Sequence, residues 1–96
     1  MCRVLTDQSP QRFAKVSRSV RISGHSTSVR LETAFWQVLE GIAKSEGLST
    51  SKLIAQLYSE AIEWPGEMSS LASILRTVCL LYYEERWPEI TATRPA

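Results

Sequence analysis

Arg30 is the residue of this chain best equipped for recognition chemistry. It stands in the alternating stretch Thr27-Ser28-Val29-Arg30-Leu31, where apolar Val29 and Leu31 share one face and Ser28 and Arg30 the other. That period of two predicts a strand with one buried side. On the exposed side, a planar guanidinium can donate two parallel hydrogen bonds to guanine O6 and N7, or hold a phosphate. Ser26 and Ser28 point the same way and are short groups able to donate or accept. On residue type alone, solvent-facing strand positions of no consequence account for these three better than a binding face does.

A second group is Ser49-Thr50-Ser51-Lys52, just beyond Gly47-Leu48. Ser49 is a favoured N-cap, and the free backbone N–H groups and dipole of a helix start attract an anion. Plain capping explains Ser49 without any ligand. The two roles are compatible, because a cap satisfies one N–H and leaves others in that turn facing outward.

The remaining candidates read as structural. His25 beside Gly24 is a turn or strand residue, and Tyr82-Tyr83 with Glu84-Glu85 are helix-end residues that pack or are solvated. Trp36, Trp64 and Trp87 are not spaced as a stacking platform for single strands and read as core or interface packing. The sequence has no glycine-rich phosphate loop, nucleophile elbow or metal-ligand cluster, so nothing in it supports an enzyme or calls for a cofactor. Cys2 and Cys79 lie far apart and suggest neither zinc nor a structural disulfide.

The elements that must position these residues follow from hydrophobic spacing. Phe35, Val38, Leu39, Ile42 and Ala43 mark one face of a helix over Thr33 to Glu46, with Trp36 flanking the stripe. Gly47 suits a left-handed helix end. A second helix over 49–62 carries Leu53, Ile54, Leu57, Tyr58, Ala61 and Ile62, and Pro65-Gly66 stops it. Ser69 or Ser70 caps a third helix reaching about Glu85, with Leu71, Ile74, Leu75, Val78, Cys79 and Tyr82 on a wide face. Ahead of the strand, Val20 and Ile22 alternate with Arg21 and Ser23. Their even numbering against odd Val29 and Leu31 implies a parity change at Gly24, which fits either a bulged long strand or a small hairpin. A helix follows the strand at once, so the strand has no obvious partner nearby and a second copy of the chain is the simplest source of one.

Ninety-six residues with 44% hydrophobic content make one ordinary globular domain plus tails. The chain divides into a flexible basic arm (1–17), the domain proper (18–86) and a frayed tail (87–96). No apolar run approaches a membrane span and no signal-peptide core is present, so the expectation is a cytoplasmic protein. The net charge of +1 hides an asymmetry: residues 1–31 hold six basic groups against Asp7, net +5, and residues 32–96 hold five against nine acidic groups, net −4. A basic front of this kind points to a polyanion, while for residues 1–15 alone a solvated, disordered arm accounts for the charge equally well.

The order of these parts resembles the ribbon-helix-helix family, the superfamily of the Arc and MetJ repressors. The resemblance covers about residues 25–62. It rests on Val29-Arg30-Leu31 leading into a helix, then Ala43-Lys44-Ser45-Glu46-Gly47-Leu48-Ser49-Thr50-Ser51, then Leu53-Ile54. A wider likeness, from Ser17 to Glu84, is to a bacterial subgroup with a third helix, through Arg18-Ser19-Val20-Arg21-Ile22, Gly24-His25, Thr27-Ser28-Val29, Phe35-Trp36 and Ser69-Ser70. The chain departs from that subgroup at Ser26 and Arg30, where a basic and a small residue are expected, which bears on the bases read and not on the fold.

The resemblance implies a mainly α fold with one short β-strand, an intertwined homodimer with an antiparallel intersubunit ribbon, and a third helix. It implies that Ser26, Ser28 and Arg30 contact bases of double-stranded DNA. Phosphate contacts fall to Ser49, Thr50, Ser51 and Lys52, joined by Arg21 and Arg18 of the basic segment. Val29, Leu31, Phe35, Leu39, Ile54 and Leu57 are the expected dimer core. The function implied is a small transcriptional regulator of the repressor kind. Two rivals stand beside it: an antitoxin-like module that binds a protein partner through the third helix, and a helical adaptor that binds no DNA.

Overall fold

The computed structural model describes residues 5–63 and 70–86. A short 3-10 turn, Pro10–Phe13, leads into strand β1, Lys15–Ile22, and strand β2, His25–Glu32. Three helices follow: α1 (Thr33–Ser45), α2 (Thr50–Ile62) and α3 (Leu71–Arg86). The helix periods read from the sequence recover these bounds to within a residue or two. Ser49 Oγ accepts the Lys52 N–H at 3.1 Å, and Ser70 Oγ accepts the Ser73 N–H at 3.2 Å, so both serines are N-caps. Gly47 has φ +72°, as a left-handed helix end requires.

The strand at Thr27–Leu31 does have a partner, and it is in the same chain. β1 and β2 form an antiparallel hairpin with Ser19 opposite Ser28 at its centre and Ile22 opposite His25 at its end. Ser23 and Gly24 make the two-residue turn, both at positive φ (51° and 82°), the combination that matches the twist of paired strands. The hairpin resolves the parity change: each opposed pair joins an even-numbered to an odd-numbered residue, so Val20 and Ile22 share a face with Val29 and Leu31. The fold therefore has two strands where the resemblance implies one, and of the two readings of the parity change at Gly24 the small hairpin is the one found. In this structure the two-stranded ribbon is intrachain. The expected arm is correspondingly shorter, since Lys15–Ser17 belong to β1 and Thr33 N–H and Oγ both donate to the Ala14 carbonyl.

One core lies between the inner face of the hairpin and the helices. Val20, Ile22, Val29 and Leu31 meet Trp36, Leu39, Ile42 and Ala43 of α1, Leu53 and Ile54 of α2, and Leu75 and Cys79 of α3. Leu31, Leu39, Ile54 and Leu75 are 0% exposed. Val29, Leu31, Leu39 and Ile54, expected in a dimer core, are thus buried within one chain, and Phe35 and Leu57 are half-buried against them. Because β1 and α3 cover these residues, a single chain does not leave them bare. Trp36 is inside the core and not beside it, its indole N–H donating to the Val16 carbonyl at 2.9 Å. Burial pushes the Cys79 thiol up to about 11, leaving it an inert core group. Trp64, Pro65-Gly66, Ser69, Cys2, Trp87 and the expected tail lie outside the described residues.

Candidate nucleic-acid interface

Alternation along the hairpin separates an inner from an outer face. Opposed residues of an antiparallel pair project to the same side. The inner side holds the Val20/Thr27 and Arg18/Val29 pairs, and the outer side holds Ser17/Arg30, Ser19/Ser28 and Arg21/Ser26. All six outer residues are exposed. Ser19 Oγ and Ser26 Oγ lie 3.2 Å apart and share a hydrogen bond across the two strands. The result is a narrow polar surface of four serines flanked diagonally by two guanidiniums. A two-stranded ribbon of this width is among the few elements that a B-DNA major groove admits.

The surroundings of the arginines sort them further. Arg12 donates to Gln8 and Gln37, and Arg76 donates to Glu32 at 3.0 Å. Arg86 stacks on Tyr82, its guanidinium carbon 4.0 Å from the ring centre. Arg18 projects toward the helices, donating to Glu40 at 2.7 Å and lying 4.8 Å from the Trp36 ring centre. Arg21 and Arg30 alone among the described arginines have no partner within the chain, and both lie on the outer hairpin face.

Ser26, Ser28 and Arg30 are therefore on one surface, as the alternation predicts, and Arg21 is brought onto it from the other strand. Arg18, expected to act with Arg21 on phosphates, lies on the opposite side with its charge engaged by Glu40. Ser49, Thr50, Ser51 and Lys52 form a separate group at the start of α2. There the Ser49 side chain takes the Lys52 N–H, leaving the amides of Thr50 and Ser51 without a partner in the helix. Ser17 and Ser19 join the outer face without having stood out in the sequence. The signal for them is the Val20–Ile22 alternation, which assigns Ser19 and Arg21 to the opposite face.

Among the described residues, no group of three or more His, Cys, Asp or Glu is placed to hold a metal ion. None of the described helices is long and apolar enough to cross a membrane.

A family model described as a ribbon-helix-helix domain matches residues 15–83, from the first residue of β1 to near the end of α3. Among solved structures, an uncharacterized protein from Bordetella pertussis Tohama I is similar over 99% of this chain and 78% of its own, at 39% identity with a TM-score of 0.79. No curated protein matches the chain.

Proposed function

The chain belongs to the ribbon-helix-helix domain family, a DNA-binding family of transcription regulators in general, and from that premise we propose that it binds double-stranded DNA through the outer face of its hairpin and acts as a small repressor. The observation carrying this reading is the pair of unengaged arginines, Arg21 and Arg30, on a serine-lined ribbon. A guanidinium held without an internal partner keeps its full donor capacity for a base edge or a phosphate. Arg30, Ser28 and Ser26 reach bases, and the exposed start of α2, from Ser49 to Lys52, holds a backbone phosphate.

Two copies of the chain associate on DNA, in keeping with the family's dimeric habit. Repression then needs no cofactor, because a protein seated over a promoter blocks it physically.

A protein partner on the third helix is the rival reading. In the structure α3 is folded and its Leu75 and Cys79 are in the core, while Ile74 and Val78 of the stripe are half-buried and Leu80 and Leu81 are 56% and 50% exposed. The two most buried positions of the stripe are thus taken by the chain's own core, and the apolar surface left to a partner is that of the half-buried and exposed residues.

A gel shift with genomic fragments, followed by a salt titration, tests the reading. If roughly six phosphates are neutralised, log K falls with log[salt] at a slope of about −5. Absence of any salt-sensitive duplex binding would overturn it and move the function toward the third helix.

A further inference from the structure

Helix α3 has an inner side that the core uses and an outer side that it does not. Leu75 and Cys79 are buried, whereas Leu80, Leu81 and Tyr83 are 56%, 50% and 41% exposed. Arg76, Thr77, Leu80, Tyr83 and Glu84 follow one another at helical spacing and share an outward stripe. Beside the stripe runs a groove of about 410 Å³ between α1 and α3, with Phe35 and Val38 on its far wall. An exposed apolar cluster next to an apolar groove marks a contact surface.

The charges on the stripe say what fits there. Arg76 donates to Glu32 through Nε alone, so the terminal edge of its guanidinium keeps its donors. Among the described residues Glu84 and Glu85 make no hydrogen bond or ion pair. Both stand in the last turn of α3, at the negative end of its dipole, and no cation lies three or four positions away on the helix. A cation supplied from outside would stabilise them.

Leu80 lies four positions after Arg76 and four before Glu84. In two α3 helices packed antiparallel about a two-fold axis at Leu80, positions equally far on either side of it face each other. Leu80 then meets its own equivalent, Arg76 meets the partner's Glu84, and Thr77 meets the partner's Tyr83. The charge pair forms twice, once on each side of the axis. Moving the axis to between Leu80 and Leu81 gives Arg76 the partner's Glu85 instead, so the match survives a change of register. Parallel packing sets Arg76 against Arg76 and Glu84 against Glu84, and is repelled. The apolar part obeys the same symmetry, each copy offering Leu80 and Leu81 to the groove of the other.

We propose that the outward face of α3 is a docking site for α3 of a second copy, packed antiparallel, with Leu80 at its centre and Arg76–Glu84 pairs on both sides. This contact is separate from the hairpin and does not rest on the DNA-binding reading. Through it single chains, or pairs already joined elsewhere, associate two by two.

Sedimentation velocity of the full chain without DNA, over a range of concentrations, tests it beside Leu80→Glu, Glu84→Arg and Arg76→Glu. Circular dichroism establishes that each variant is folded. The wild type should form a species about twice the mass of the largest that Leu80→Glu forms, whatever other association both share. Glu84→Arg alone and Arg76→Glu alone should show the same drop, because each sets like charges together. Mixed in equal amounts, these two variants should recover the wild-type mass. Equal masses for wild type and Leu80→Glu at every concentration overturn the proposal and leave the face to a different partner or to none. Wild-type mass retained by Glu84→Arg, with Leu80→Glu reduced, overturns the antiparallel pairing. A mixture that stays small while both of its members are folded does the same. Should Arg76→Glu misfold because it confronts Glu32, Leu80→Glu and Glu84→Arg decide between these outcomes without it.

Discussion

Arg18 and Arg21 are three positions apart and have different fates, and the difference is electrostatic as much as geometric. Both lie on β1, but Arg18 faces the helices, where Glu40 and the Trp36 ring receive it. An exposed ion pair of this kind contributes little to stability; its main effect is to take one cation out of the recognition surface. Glu32 illustrates the same logic with the opposite charge. A hydrogen bond with its own backbone amide, then the bond and charge of Arg76, hold its carboxyl below the usual 4.5. A depressed folded-state value means the charged form favours folding above the unfolded value. That contribution disappears as pH falls through the folded value. Glu32→Gln should therefore differ most from wild type in urea midpoint near neutral pH, and the gap should close below about pH 4.5. A gap independent of pH would remove Glu32 from the acid response. Alternation alone makes Ser26, Ser28 and Arg30 legible in the sequence, whereas the Arg18–Glu40 pairing spans 22 positions and no local pattern announces it.

The helices are legible because each buries a stripe at the 3.6-residue period, and their caps obey local hydrogen-bond rules. The hairpin is legible only in half. On β1 the inner face reads Val16, Arg18, Val20, Ile22, and the charge at Arg18 breaks the apolar alternation. The structure tolerates it because the guanidinium lies over the Trp36 ring while Glu40 takes the charge. The turn gives a weak signal too, since Ser23 stands where Asn or Asp more often accepts a positive φ. Both turn positions yield a prediction. Gly24→Ala should destabilise by about 1–2 kcal/mol, the left-handed backbone cost for an L side chain. No crowding adds to this, because a Cβ at Gly24 meets nothing within 4 Å. Ser23→Asn should instead stabilise slightly. Urea denaturation of the two variants checks both signs. Neutral Gly24→Ala would mean that the turn relaxes to a conformation without positive φ.

At the scale of the whole molecule, the decisive finding is where the core closes. In the sequence, Val29, Leu31, Phe35 and Ile54 suggest a structure completed by a second copy, because one strand and short helices leave them insufficiently covered. The hairpin's first strand and the third helix do cover them, with α3 placing Leu75 and Cys79 against the other elements. We therefore expect association and folding to be separable here. What remains outside includes Phe13, Val16 and Ile62 and, close together on α3, Leu80, Leu81 and Tyr83, apolar surface that a second copy can use. A dilution series that follows sedimentation and far-ultraviolet circular dichroism together tests the separation. As dimers dissociate, the helical signal should persist, and the dissociated chain should still unfold cooperatively in urea. Val29→Asp should then unfold the single chain itself, because it sets an unpaired charge in that core at a cost of about 3 kcal/mol or more. Helical signal lost in step with dissociation would show that the core depends on the partner after all. The hairpin would then have to exchange between copies to be buried, and a ribbon built from two chains would replace the ribbon built from one.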